Sequence, residues 1–156
     1  ATVKLKVHRG WSADILPELE PADSDLVYID GDHSYYGVLS DIKLSSRLVK
    51  DGGIICGDDL ELQSYQVDAS IAEERPHLDK MLNKAKNTIY HPGVTLAVGE
   101  MFGPVSSWYG FWAMQKKNNQ WKKVSLTGMP PHIPSFLSLK NLMGLKALLM
   151  EKGYFE

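Results

Sequence analysis

"VYIDGDHSYYG", Val27 to Gly37, decides the fold. Val27, Tyr28 and Ile29 run straight into Asp30, Gly31, Asp32 and His33. An unbroken apolar run bounded by polar residues reads as a strand covered on both faces of a parallel sheet. It begins at Asp25 in "DLVYID", and its polar end is its carboxyl end. "SYYGVLSDIKLSSRLVK" follows, with Val38, Leu39, Ile42, Leu48 and Val49 at helical spacing. "DGG" (Asp51–Gly53) reads as the stop of that helix, because glycine tolerates positive φ. "IICGDD" (Ile54–Asp59) is a second apolar run that also ends in acids.

Towards the N-terminus, "VKLKVH" (Val3–His8) alternates with period two and predicts a strand with one buried face. "GWSADILPEL" predicts a short helix, with Ser12 as N-cap and Ile15, Leu16 and Leu19 as its apolar side. Strand, helix, strand, helix, strand implies right-handed crossovers, a mostly parallel sheet and the α/β class. Towards the C-terminus the pattern changes. The stretch 60–92 is polar with weak helical periodicity, and reads as an insert or lid made of helix and connection. "HPGVTLAVGEMF" predicts a short helix after Pro92. "SSWYGFWAMQKKNNQWKKVSL" predicts a β-hairpin turning at Asn118–Asn119. "GMPPHIP" breaks the chain, and 133–156 reads as a helical extension with Leu139, Leu142, Leu145 and Leu149 on one side. The expectation is a single domain over 1–156.

A chain of 156 residues, 44% apolar, can bury a real core. The net charge of −2 creates no basic field, so nucleic acid is not an expected partner. Lys116–Lys117 and Lys122–Lys123 read as solvated strand ends. Cys56 is the only cysteine, which excludes an intrachain disulfide and argues against a cysteine zinc site. That fits a cytoplasmic protein. No apolar run reaches the roughly 20 residues of a membrane span.

The acids at the two strand ends are the main chemical feature. Neighbouring strands lie about 5 Å apart, so Asp30 and Asp32 would crowd Asp58 and Asp59 at one rim. Carboxylates that close repel unless a cation shares them, and a hard ion such as Mg²⁺ or Ca²⁺ would do so. Taken singly, Asp32 and one of the later pair also suit helix capping or turn formation. His33 has the titration range of a general base, or is a turn histidine. Trp11 either stacks on a flat ligand ring or joins the core. Trp108, Tyr109, Phe111 and Trp112 read as hairpin core or as a substrate wall. His8, His77, His91 and His132 read as surface or loop residues.

The DGDHSY segment, followed about 25 residues later by GG-apolar-GDD, resembles the class I S-adenosylmethionine-dependent methyltransferases. It is most like their small-molecule O-methyltransferase branch. The resemblance covers Val3 to Asp59 and runs more loosely through "HPGVTLAVGEMF" and "GFWAMQKK". It implies a Rossmann-like fold, S-adenosylmethionine as cofactor and methyl transfer to a small-molecule hydroxyl. It further implies Asp30, Asp58 and Asp59 as ligands of Mg²⁺ or a similar cation. His33 falls where these enzymes place a catalytic lysine. Trp11, Ser12 and Ala13 would border the adenine, with Asp30 and Asp32 also on the cofactor side. The family's G-x-G cofactor loop has no counterpart in the chain. The expectation is therefore a partial domain that lacks the N-terminal strands. An additional N-terminal segment or a second copy would complete it and pair the apolar edge of "DLVYID". The rival readings are a non-catalytic Rossmann-like interaction domain and a metal-dependent hydrolase.

Overall fold

A computed structural model of the chain describes residues 2, 4–68, 70, 74–75 and 77–126. The chain divides into units 1–126 and 127–156. The expected breaker and C-terminal helix lie outside the described residues.

Strand β1 (Ser24–Ile29) pairs in parallel with β2 (Val49–Leu60), and α2 (Tyr35–Ser46) connects them. This is the strand–helix–strand unit the opening stretch predicts. Next to β2 lies β6 (Gly110–Lys117), antiparallel, flanked by β5 (Ser106–Trp108) and β7 (Gln120–Lys123). The class is mixed α/β, compatible with a Rossmann-like methyltransferase fold. Among the described residues the parallel pairing is that of β1 and β2, and residues 4–8 of the expected strand Val3–His8 form none. Residues 4–9 have no regular structure, and Leu5 and Val7 are exposed. A strand needs a neighbour to pair its N–H and C=O groups, and among the described residues none pairs with residues 4–8. β1 is accordingly the end strand of the sheet. It is also not covered on both faces, since Leu26 and Tyr28 are exposed.

The core lies on the other face. Register aligns Val27, Ile55 and Met114 in one row across the sheet, and Ile29, Gly57 and Trp112 in the next. Onto these rows pack Val38, Leu39 and Ile42 of α2, and Val94, Ala97 and Val98 of α3 (Pro92–Phe102). Gly57 makes room for the Trp112 indole: a Cβ at Gly57 would stand 2.8 Å from its Nε1.

The helix boundaries differ from expectation in two places. Helix α2 stops at Ser46, and "DGG" lies inside β2, where Gly52 takes φ +83 at an irregularity of the ladder. The end of the helix is satisfied by Lys116, whose Nζ donates to Ser46 O and Val49 O at 3.4 and 2.9 Å. That lysine is therefore not a free strand end. Helix α1 is only Ser12–Ile15, with Trp11 in the cap position. Ser12 does not cap it, because its hydroxyl donates to Asp41 Oδ1 at 2.5 Å.

The hairpin prediction holds. Asn118 and Asn119 have φ of 54° and 58°, the positive pair that a two-residue type I′ turn requires. The aromatic set divides: Trp112 is buried, whereas Trp108 and Tyr109 are exposed. In the insert, the expected helix is replaced at 81–90 by a small hairpin, β3 (Met81–Asn83) and β4 (Thr88–Tyr90). Its turn is set by Asn83, which accepts from Lys86 N through Oδ1, and by Asn87 at φ 48. Local turn chemistry overrode a weak helical period. No helix among the described residues is long and apolar enough to cross a membrane.

Candidate functional site

Ile29, the last residue of β1, pairs with Gly57 of β2, which delivers Asp30 next to Asp58. Beyond Gly57 the ladder to β6 slips, and Asp58 and Asp59 oppose the single residue Phe111. This is a β-bulge, a device that re-aims a side chain. Asp59 sits at φ +64, a conformation that costs a non-glycine residue on the order of 1 kcal/mol. The bulge turns its carboxylate onto two imidazoles. Oδ2 lies 3.0 Å from His33 Nε2, and Oδ1 lies 3.6 Å from His91 Nδ1.

His33 is gripped from the opposite side by Asp79, whose Oδ1 is 2.5 Å from Nδ1. Asp79 precedes the β3–β4 hairpin, so the insert supplies a site residue. The Asp79 bond raises the His33 pKa above the ordinary imidazole value, helped by the charges of Asp59 and Asp30 and opposed by partial burial. The same bond to His33 holds the Asp79 carboxyl below its ordinary value.

His91 contradicts the reading of a surface histidine. It is 4% exposed and stands at the N-cap position of α3. Its Nδ1 is 3.1 Å from both carboxylate oxygens of Glu61, and its backbone N–H donates to the same group. An ionised carboxylate only accepts, so Nδ1 carries the hydrogen. The two imidazoles meet edge-on, with centroids 4.7 Å apart.

Asp32 closes a turn. Its carboxylate accepts from Ser34 N at 2.9 Å and from Ser34 Oγ at 2.6 Å. Ser34 in turn caps α2, with Oγ accepting from Gly37 N. The Ser34 bonds hold the Asp32 pKa below the ordinary carboxylate value. The stabilisation from that shift is therefore complete above the ordinary carboxylate range and is lost as pH falls through the lowered value. Ser34→Ala removes the cap and the hydroxyl donor to Asp32 together, and leaves the backbone N–H of residue 34 on the Asp32 carboxylate. It is expected to cost about 1 kcal/mol in urea unfolding; an unchanged midpoint would show that the cap contributes nothing.

Three groups of potential ligands converge among the described residues: Asp30, His33 and Asp59; His33, Asp79 and His91; Asp59, Glu61 and His91. In each group the ligand atoms lie within 4.8 Å of one another, and each contains a histidine. Asp58 enters none of them, and its Oδ1 accepts from Asp59 N. It still lines a cavity of about 10 Å³ with Asp30, Asp32, His33 and Asp59, roughly the room of one small guest. Beside this rim opens a cleft of about 580 Å³, where Trp11, Ser12, Ala13 and Asp32 meet Gly31 and Asp41. Trp11 is 81% exposed. It is not a core residue, and its ring is free to meet a ligand.

Sequence reasoning missed Glu61, Asp79 and His91. For His91 a signal existed, since His-Pro-Gly before an apolar run marks a helix start. For Asp79 there was none, because only the folded insert carries it to His33. No curated protein and no solved structure matches the chain. Residues 2–60, the stretch from the N-terminal segment through the acids ending β2, match a family model described as a methyltransferase domain, and over this stretch the chain is similar to such domains.

Proposed function

We propose that the chain takes part in methyl transfer from S-adenosylmethionine to a hydroxyl of a small molecule. The observation that carries this reading is the cleft. It gathers Trp11, Ser12, Ala13 and Asp32, and its volume falls in the range of about 300–1,000 Å³ usual for small-molecule sites. It also opens beside the carboxyl ends of β1 and β2, where open α/β sheets bind their ligands. The methyltransferase-domain match over residues 2–60 supports methyl transfer. The hydroxyl acceptor rests on the resemblance of the DGDHSY segment alone.

Bound in the cleft, S-adenosylmethionine supplies a methyl group on a sulfonium sulfur. In that cleft the Trp11 ring would hold the adenine, and Ser12 and Asp41 would offer polar atoms to the cofactor. The Asp30–Asp59 rim orients the acceptor for in-line attack, a task mainly of positioning. His33 Nε2 and Asp59 Oδ2, 3.0 Å apart, take up the acceptor proton as a pair. Of the Mg²⁺ ligands that the resemblance implies, Asp30 and Asp59 fall in one group with His33, and Asp58 lines the cavity beside them.

Calorimetric titration with S-adenosylhomocysteine tests the reading. One site is expected, and Trp11→Ala should weaken it by about 5- to 150-fold, the worth of one base–aromatic stack of about 1–3 kcal/mol. Absence of binding by the unmodified chain would refute the proposal. It would leave the second reading, a non-catalytic interaction domain, which the exposed Leu26 and Tyr28 of β1 favour.

A further inference from the structure

His91 has one nitrogen with no partner. Nε2 is buried and makes no hydrogen bond among the described residues. A buried polar atom left so costs about 1–3 kcal/mol, and it calls for a ligand. Nδ1 holds the hydrogen against Glu61, so Nε2 presents a lone pair. Asp79 Oδ1 stands 3.9 Å from it. That oxygen also meets His33 Nδ1, and the ligand atoms of His33, His91 and Asp79 lie within 4.8 Å of one another.

The outer nitrogens complete the pattern. His91 Nδ1 faces Glu61, and His33 Nε2 faces Asp59. Histidines that ligate metals nearly always donate their second N–H to a carboxylate, which fixes the tautomer and strengthens the ligand. Here His91 Nδ1 is hydrogen-bonded to Glu61, and Asp59 stands 3.0 Å from His33 Nε2, on the sides away from Asp79. Two imidazoles and one carboxylate suit first-row transition ions rather than Mg²⁺ or Ca²⁺. Tetrahedral coordination at about 2.0 Å would need ligand atoms about 3.3 Å apart. The 2.5 Å and 3.9 Å separations on Asp79 bracket that value. The Asp79 side chain is 63% exposed, so it can move without disturbing the core.

We propose that His33 Nδ1, His91 Nε2 and Asp79 form a binding site for a first-row divalent transition ion such as Zn²⁺, with Asp59 and Glu61 as the outer carboxylates. This site differs in residues and in ion from the Asp30, Asp58 and Asp59 set that the resemblance gives to Mg²⁺. It does not depend on the methyl-transfer reading.

The test is calorimetric titration of the metal-free chain with Zn²⁺ and, separately, with Mg²⁺. One equivalent of Zn²⁺ should bind, with Mg²⁺ at least roughly 100-fold weaker, as the donor set requires. Co²⁺ in place of Zn²⁺ should give visible absorption bands of an imidazole-bound ion. Asp79→Ala should weaken Zn²⁺ binding by more than tenfold. Glu61→Gln should weaken it roughly 10- to 100-fold through His91. Asp58→Asn should leave it unchanged. Three results would overturn the site: no Zn²⁺ binding; binding that survives both Asp79→Ala and His33→Gln, which would place it on other histidines; or equal Mg²⁺ binding lost in Asp58→Asn. Titration with S-adenosylhomocysteine needs no metal, so each proposal can fail while the other stands.

Discussion

Trp112→Ala is expected to lower the stability of the chain by about 3–5 kcal/mol. The indole is 1% exposed and sits at the centre of the sheet face that α2 and α3 cover. It lies in the row Ile29–Gly57–Trp112, with Phe102 of α3 tilted against it at a centroid distance of 5.8 Å. Two of its neighbours are poorly placed to fill the space it would leave. Gly57 has no side chain, and Phe102 is already committed to Trp121, with centroids 5.4 Å apart. The cost is a large share of the roughly 5–15 kcal/mol that holds a typical domain together. Urea unfolding followed by circular dichroism measures it. A loss below about 1 kcal/mol, the range of tolerated core exchanges, would mean that the core is not built around this indole. Tyr109→Ala is the contrast. Its side chain is 92% exposed, and its removal should move the midpoint little.

The second large effect is expected at Gly93. Helix α3 begins so close to the loop after β1 that a Cβ at this position would stand 2.2 Å from His33 O and 2.5 Å from Tyr35 N. Both are backbone atoms, so no side-chain rotation relieves the clash. Either α3 or the His33 loop must shift. Gly93→Ala should cost about 1–3 kcal/mol, as overpacking does. The same shift would separate His33 from His91, because Gly93 is two residues from one and against the backbone of the other. The variant should therefore lose Zn²⁺ affinity along with stability. The split is informative against Trp112→Ala, which loosens the core without pushing the two loops apart. Zn²⁺ affinity intact in folded Gly93→Ala would show that the histidines are not held by this contact.

The parts legible in the sequence were those written in local pattern. "DLVYID" and "IICGDD" announced two adjacent strands, and the period of Val38, Leu39 and Ile42 announced the helix between them. The Asn-Asn pair announced the hairpin, because positive φ at two successive residues is a local property. The α3 start at Pro92 was local too. Patterns that needed a partner misled. Val3–His8 alternates like a strand, yet alternation describes one face and supplies no neighbour. Leu26 and Tyr28 belong to an unbroken apolar run, yet one face of β1 is open. The weak period of the insert gave way to the asparagines that fold 81–90 into a hairpin.

The sequence by itself determined that Asp30, Asp32, His33, Asp58 and Asp59 would gather at strand ends, since parallel strands joined by a helix end on the same side of a sheet. Only the tertiary structure decided their use. A slip in the β2–β6 ladder turns Asp59 away from Asp58 and onto the histidines. The Ser34 cap draws Asp32 into a turn. Helix α3, seated by Gly93 against the His33 loop, brings in His91 with Glu61 behind it. The insert lays Asp79 across both rings. The Asp32–Ser34 turn apart, these contacts join residues about 12 to 58 positions apart in the chain, from Asp79–His91 to His33–His91. No local pattern encodes them, because they depend on how completed elements pack. The acid rim was therefore readable in advance, and the paired imidazoles were not.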